Sequence, residues 1–284
     1  SAGVKNGIGR MVKILMPMLG FLLIFMVIYA MFNGAFIRTL EFLFAPDFSN
    51  VTAETFLSAM GQAFFSLSLG MGSIMAYGAY MPKDQKVVST SFTVASLDTL
   101  VAMLAGLAIF PIIFAFNLEP NSGPGLVFVS MLSAFNQMQF GQIIGTFFFI
   151  LLSIAALSSS ISLLEPGVAY LSEEGFLSRR YSALAISFFA WSLGIGTALS
   201  FNVLSEFKLT PGRNFLDSMD FIANQILLPL GGMMIAIFVG WFMKKELITN
   251  EVGYVNQIIY KLWRFFIKFI APISVASIFI SQIL

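Results

Sequence analysis

A chain of 284 residues that is 58% apolar, 10% charged and carries a formal net charge of +1 cannot be wrapped as a soluble globule. An ordinary domain has roughly 25% charged residues, and 15 basic with 14 acidic side chains fall far short of covering one. The same figures argue against disorder, a coiled coil and nucleic-acid binding, because neither a basic excess nor enough polar surface is present.

The chain reads as an all-α integral membrane protein, a single transmembrane domain over residues 1–284. Cysteine and histidine are both absent. That removes disulfides, thiolate nucleophiles, zinc and haem ligands and any histidine proton relay, so no enzyme is expected.

A bilayer core about 30 Å thick needs on the order of 20 helical residues to cross. Apolar runs predict seven spans, at 11–37, 55–82, 87–118, 143–171, 181–205, 220–243 and 262–284. Gly7 and Pro17 flank the start of the first. The second carries Ser66-Leu67-Ser68-Leu69-Gly70-Met71-Gly72 in its middle. Glycine costs roughly 1 kcal/mol relative to alanine inside a helix, so this is a weak point. If the helix opens there, its amides and carbonyls must be buried in protein or face a wet cavity or ligand. The other reading is small-residue packing of Ser66 and Gly70 against a neighbour.

Asp98 lies about three turns into the third span. An acid at that depth costs several kcal/mol unless it is paired or wet, so its default reading is functional. The apolar stretch 120–164 is too long for one helix and opens on Pro120, Asn121, Ser122, Gly123, Pro124 and Gly125, which read as loop. Counted as one crossing, it leaves Lys5, Arg10, Lys13, Lys83, Lys86, Arg179, Arg180, Lys244, Lys245, Lys261, Arg264 and Lys268 on one side. Only Arg38, Lys208 and Arg213 fall on the other. That bias puts the N-terminus in the cytoplasm and makes Leu126 to Phe140 an external loop with helical pieces.

In the fourth span Ala155, Ser158 and Ser159 share a face, offering one carbonyl and two hydroxyls. Hard oxygen ligands of this kind suit Na⁺, although membrane serines commonly bond back to the preceding turn. Glu165, beside Pro166, lies closer to the interface and reads as structural or functional alike. Pro229, Gly231 and Gly232 interrupt the sixth span.

The stretch Gly61-Gln62-Ala63-Phe64-Phe65-Ser66-Leu67-Ser68-Leu69-Gly70-Met71-Gly72, followed by Tyr77, Tyr80 and Lys83-Asp84-Gln85, closely resembles helix 6 and the next loop of neurotransmitter:sodium symporters, including the bacterial leucine transporter. Ala155 to Pro166 resembles the family's helix 8, and Asp217-Ser218-Met219-Asp220-Phe221 the start of its helix 10. The likeness runs over essentially the whole chain, as helices 5 to 11. It implies seven transmembrane helices with a discontinuous second span, forming the second inverted repeat of the leucine-transporter fold. Helices 1 to 4 are then expected in a longer transporter, consistent with the start at Ser1.

The resemblance also implies roles. Phe65, Ser66, Ser68, Met71, Ser159 and Leu163 would line the substrate pocket. Ser66 and Asp98 would serve a first sodium site, and the Ala155 carbonyl with Ser158 and Ser159 half of a second. Gln62 and Asp220 would belong to an outer gate, Tyr80 and Glu173 to an inner one. Several positions depart from the leucine transporter. Serine replaces threonine at 66 and 158, glutamate replaces aspartate at 173, and methionine replaces phenylalanine at 71, giving a softer pocket wall. Asp98 stands for the usual asparagine, and Ala102 lacks the acid one turn later.

The expected function is therefore sodium-coupled symport of a hydrophobic or aromatic amino acid by alternating access, independent of chloride, in the cell membrane. The partners are the amino acid, Na⁺ at two sites, the lipid bilayer and helices 1 to 4. The alternatives are a non-transporting amino-acid receptor or scaffold, and a proton-coupled transporter with Asp98 as the proton carrier.

Overall fold

The computed structural model describes residues 7–82, 84–120, 123–200, 202–252 and 257–283. Lys5, Lys83, Asn121 and Ser122, used above for orientation, motif and loop, lie outside the described residues.

The chain begins with α1 (Gly9–Asn33), which carries Pro17 inside it, and continues after a break into α2 (Phe36–Phe44). The break falls inside the predicted span 11–37. A Cβ on Gly34 would lie 2.6 Å from the Cβ of Pro111, so a glycine is needed where the chain turns off that helix. Next come α3 (Ala53–Ser66) and α4 (Ser73–Ala79). The N-terminus of α3 is held by Thr52 and Thr55, each hydroxyl accepting the other residue's backbone N–H.

α5 (Val87–Ala115) holds Asp98 and ends near Pro111. Gly123 to Gly125, expected as loop, forms a short helix, α6 (Gly123–Gly125), and the stretch expected as an external loop at 126–140 contains a π-helical turn Leu126–Ser130 and α7 (Met131–Gln137). α8 (Gly141–Glu173) runs through Pro166, and α9 (Arg179–Leu199) follows. Two short antiparallel strands, β1 (Lys208–Thr210) and β2 (Arg213–Asn214), turn at Gly212, whose φ is +76°. They are the one non-helical pairing among the described residues.

α10 (Phe215–Asp220), a π-helical turn Phe221–Leu227, α11 (Leu228–Ile237) and a second π-helical turn Phe238–Phe242 join into one helix. α12 (Lys245–Val252), α13 (Gln257–Phe265), a π-helical turn Phe266–Ile270 and α14 (Ala271–Ile283) complete the chain.

Six helices among the described residues are long and apolar enough to cross a membrane: Gly9–Asn33, Val87–Ala115, Gly141–Glu173, Arg179–Leu199, Phe215–Phe242 and Gln257–Ile280. The predicted span 55–82 is not among them, because it is divided between α3 and α4. Phe21, Phe32 and Phe92 are 71%, 82% and 77% exposed, an arrangement that suits lipid rather than water.

The chain groups into two compact units. One comprises Val51–Thr93 with Leu163–Leu284, the other Ala2–Asn50 with Val94–Ser162. The second is centred on Met26, Ala30, Ile112, Ile113, Met131 and Ala134, all buried. In the first, α11 packs on α14, and Ser73, Ser182 and Ser218 are buried. Ser218 is satisfied by Thr210 and by the Asn214 carbonyl, which ties the strand pair to α10.

Candidate functional site

Between α3 and α4 the chain leaves helical geometry for six residues, Leu67 to Gly72. Ser68, Gly70 and Gly72 have φ of +53°, +87° and +81°. The Leu69 N–H donates to the Phe64 carbonyl and the Ser68 N–H to that of Phe65, both at 3.0 Å. This is a Schellman closure of α3 with Ser68 in the left-handed position that glycine normally holds. A serine there is strained by about 1 kcal/mol or more. It also brings a hydroxyl into the interruption.

The interruption is packed against the sixth predicted span within the same unit. A Cβ on Gly70 would lie 2.5 Å from the Leu228 carbonyl oxygen, and one on Gly231 2.5 Å from the Gly70 oxygen. A Cβ on Gly232 would lie 2.5 Å from the Phe64 ring. The absence of a Cβ at Gly70, Gly231 and Gly232 thus allows the interruption to approach its neighbour closely. Gly72 faces Pro166 of α8. Ser73, next in line, has a buried hydroxyl with no hydrogen-bond partner among the described residues. Phe65 is 48% exposed, while Ser66, Ser68 and Met71 are half-buried. Leu163, also assigned to this unit, is 48% exposed on α8.

The remaining ligand candidates belong to the other unit. Asp98 is half-buried on α5. On α8 the Ser158 hydroxyl donates to the Ala155 carbonyl at 2.9 Å, and Ser159 is exposed. The serine back-bonding reading therefore describes Ser158. It does not remove the oxygen as a ligand, because a hydroxyl that donates its proton keeps lone pairs for a cation. Ser160 and Ser162 likewise donate to Leu157 and Ser158.

Of the gate candidates, Gln62 on α3, Asp220 on α10 and Glu173 at the end of α8 are exposed. Asp220 accepts from the Asn224 amide at 2.7 Å. Tyr80, which ends α4, lies beside the Arg179 guanidinium. Arg179 in turn donates from Nη2 to both carboxylate oxygens of Glu165, at 2.6 and 2.7 Å. The sequence reading left Glu165 undecided and used Arg179 only for orientation. The signal available was depth: a carboxylate within a membrane helix requires a cation, and Arg179 and Arg180 are the next in the chain.

A family model described as "Sodium:neurotransmitter symporter family" matches residues 1–284. An uncharacterized sodium-dependent transporter, YhdH, of Bacillus subtilis is 32% identical, the match covering 99% of this chain and 63% of the relative. One from Haemophilus influenzae is 34% identical, covering 99% and 62%. The chain thus spans less than two thirds of the length of these relatives. The crystal structure of MhsT in complex with L-phenylalanine is similar with a TM-score of 0.86 at 46% identity, covering 99% of this chain and 64% of that one. A sodium-dependent nutrient amino acid transporter 1 from Drosophila persimilis is 26% identical over 84% of the chain and 37% of the relative.

Proposed function

The chain belongs to the sodium:neurotransmitter symporter family, and from that premise we propose that the protein carrying it performs Na⁺-coupled symport of a hydrophobic or aromatic amino acid by alternating access, without chloride. The observation that carries the reading is the interrupted segment Leu67–Gly72, with helix on either side and three left-handed residues within it. We read α3 and α4 as one discontinuous span, the second of seven. Irregular backbone at membrane depth is tolerated only where it lines a cavity or is buried in protein. Helix ends at such a break offer partial charges to ions and charged substrate groups.

In the first unit, Phe65, Ser66, Ser68, Met71 and Leu163 act as substrate-facing groups. In the second, Ser159 acts as a substrate-facing group, Asp98 serves a first Na⁺, and the Ala155 carbonyl with Ser158 and Ser159 a second. The remaining ligands come from helices 1 to 4 of the longer protein. Gln62 and Asp220 act in the outer gate, Tyr80 and Glu173 in the inner one, and the N-terminus of this chain is cytoplasmic. Bound Na⁺ and the substrate carboxylate neutralise one another in a partly dehydrated cavity, so neither binds well alone. Asp98 supplies negative charge beside the first Na⁺ and takes over the role that chloride has where no acid is present. The L-phenylalanine complex of the similar MhsT supports an apolar or aromatic substrate.

The test is uptake of radiolabelled L-phenylalanine by proteoliposomes holding the full-length protein. An inward Na⁺ gradient drives accumulation, and replacing chloride by gluconate leaves it unchanged. Binding without accumulation would instead indicate a receptor or scaffold. A pH gradient that drives uptake without Na⁺ would indicate proton coupling.

A further inference from the structure

Where the π-helical turn Phe238–Phe242 meets the π-helical turn Phe266–Ile270, we propose a seat for one anionic phospholipid, its phosphate on Lys268 and an acyl chain in the groove beside it. The seat lies wholly within one compact unit.

Three residues set its geometry. A Cβ on Gly240 would lie 2.9 Å from the Cα of Lys268, so glycine lets the two backbones meet. Pro272 has no N–H and cannot donate to the Lys268 carbonyl one turn back. Trp241 donates to that carbonyl instead, from its indole nitrogen at 3.2 Å. The bond fixes the ring, and the Lys268 ammonium sits 3.8 Å from its centroid and 5.8 Å from that of Phe269. Single π-helical turns inside α-helices are rare and are frequently found at functional sites.

The ammonium is held against aromatic faces with no carboxylate in ion-pair contact among the described residues. A ring stabilises it from one side and leaves the other for an anion. Lys244, Lys245, Lys261 and Arg264 precede it in the chain, with Glu246 and Glu251, so residues 244–268 carry five basic and two acidic side chains. Arg264 donates to the Tyr260 hydroxyl at 2.7 Å, and Lys245 lies over the Tyr260 ring.

Beneath the cation runs a groove of about 450 Å³, whose apolar wall includes Ile237, Phe242, Pro272 and Ile273. Phe242 and Ile273 are exposed. A free phosphate would use the ammonium and leave this wall uncovered, whereas a phospholipid covers both. The depth also fits. Trp241 is one residue from the end of the apolar helix Phe215–Phe242, the interfacial level at which tryptophan, lysine and lipid phosphates lie. On the proposed orientation the leaflet is cytoplasmic, where anionic lipid attracts basic segments.

The test uses the full-length protein in mixed bilayers containing phosphatidylglycerol or phosphatidylcholine with brominated acyl chains, reading quenching of Trp241 against a Trp241→Phe control. Phosphatidylglycerol should quench at about fivefold lower mole fraction than phosphatidylcholine. Lys268→Gln should abolish that preference and Lys268→Arg retain it, both with Na⁺-dependent substrate binding intact. Equal quenching by the two lipids, or an unchanged preference in Lys268→Gln, would overturn the proposal. So would displacement of the lipid by an equal concentration of soluble glycerol phosphate. A Lys268→Gln protein that changes only its oligomeric state would assign the face to a second copy.

Discussion

Arg179 places a single guanidinium nitrogen against both oxygens of the Glu165 carboxylate, whose side chain is 5% exposed while that of the arginine is 27% exposed. The asymmetry in burial makes the two halves of the pair unequal. Arg179→Gln leaves a buried carboxylate without its cation and should destabilise by about 3–5 kcal/mol. Glu165→Gln leaves a cation that reaches water and should cost less. Restoring neutrality with both substitutions should recover part of the loss. Thermal unfolding of the four purified proteins checks the order, and equal shifts for the two single variants would contradict it.

The contact between Gly70 and Gly231 predicts a sharp size limit. Gly70→Ala meets the Leu228 carbonyl at a residue with φ of +87°, and Gly231→Ala meets the Gly70 oxygen. Each should cost about 1–3 kcal/mol through overpacking. Gly78→Ala, with nothing within 4 Å, should be neutral or slightly stabilising. Melting temperatures of the three variants separate a packed interruption from a loose one.

Ser68 should separate stability from affinity. Ser68→Gly relieves a left-handed serine and should stabilise the protein by about 1 kcal/mol. The same change removes a proposed substrate-facing hydroxyl, so L-phenylalanine affinity should fall. Calorimetry and thermal unfolding on one preparation test both signs. A stabilised protein with unchanged affinity would remove Ser68 from the pocket.

On α8, Ser158→Ala should raise the Na⁺ concentration needed for half-maximal substrate binding about tenfold, in line with loss of a hydrogen bond or ligand worth about 1.4 kcal/mol. Ser160→Ala, whose hydroxyl donates to Leu157, should leave the Na⁺ dependence unchanged. A Na⁺ titration of binding compares the two.

Asp98→Asn should weaken Na⁺ dependence or create a chloride requirement, since the proposed negative charge beside the first Na⁺ would be gone. Uptake in chloride and in gluconate decides it. Wild-type uptake that collapses in gluconate would remove the basis for assigning that charge to Asp98.

The apolar windows and the weakness around Gly70 were legible without coordinates, because hydropathy and helix propensity are local properties. A run of about 20 apolar residues has one favourable state in a bilayer, and a cluster of glycine and serine lowers helix stability wherever it occurs. Partner choice was not legible. Nothing near Glu165 in the chain marks Arg179, rather than Arg180, as its cation. Nothing around Gly70 names Gly231 and Gly232 as the backbone it meets. Nothing near Gly34, just past the end of the first helix at Asn33, names Pro111 as the residue it packs against. Burial, ion pairing and close backbone approach are set by residues distant in sequence, and their energies appear only once the chain has brought them together.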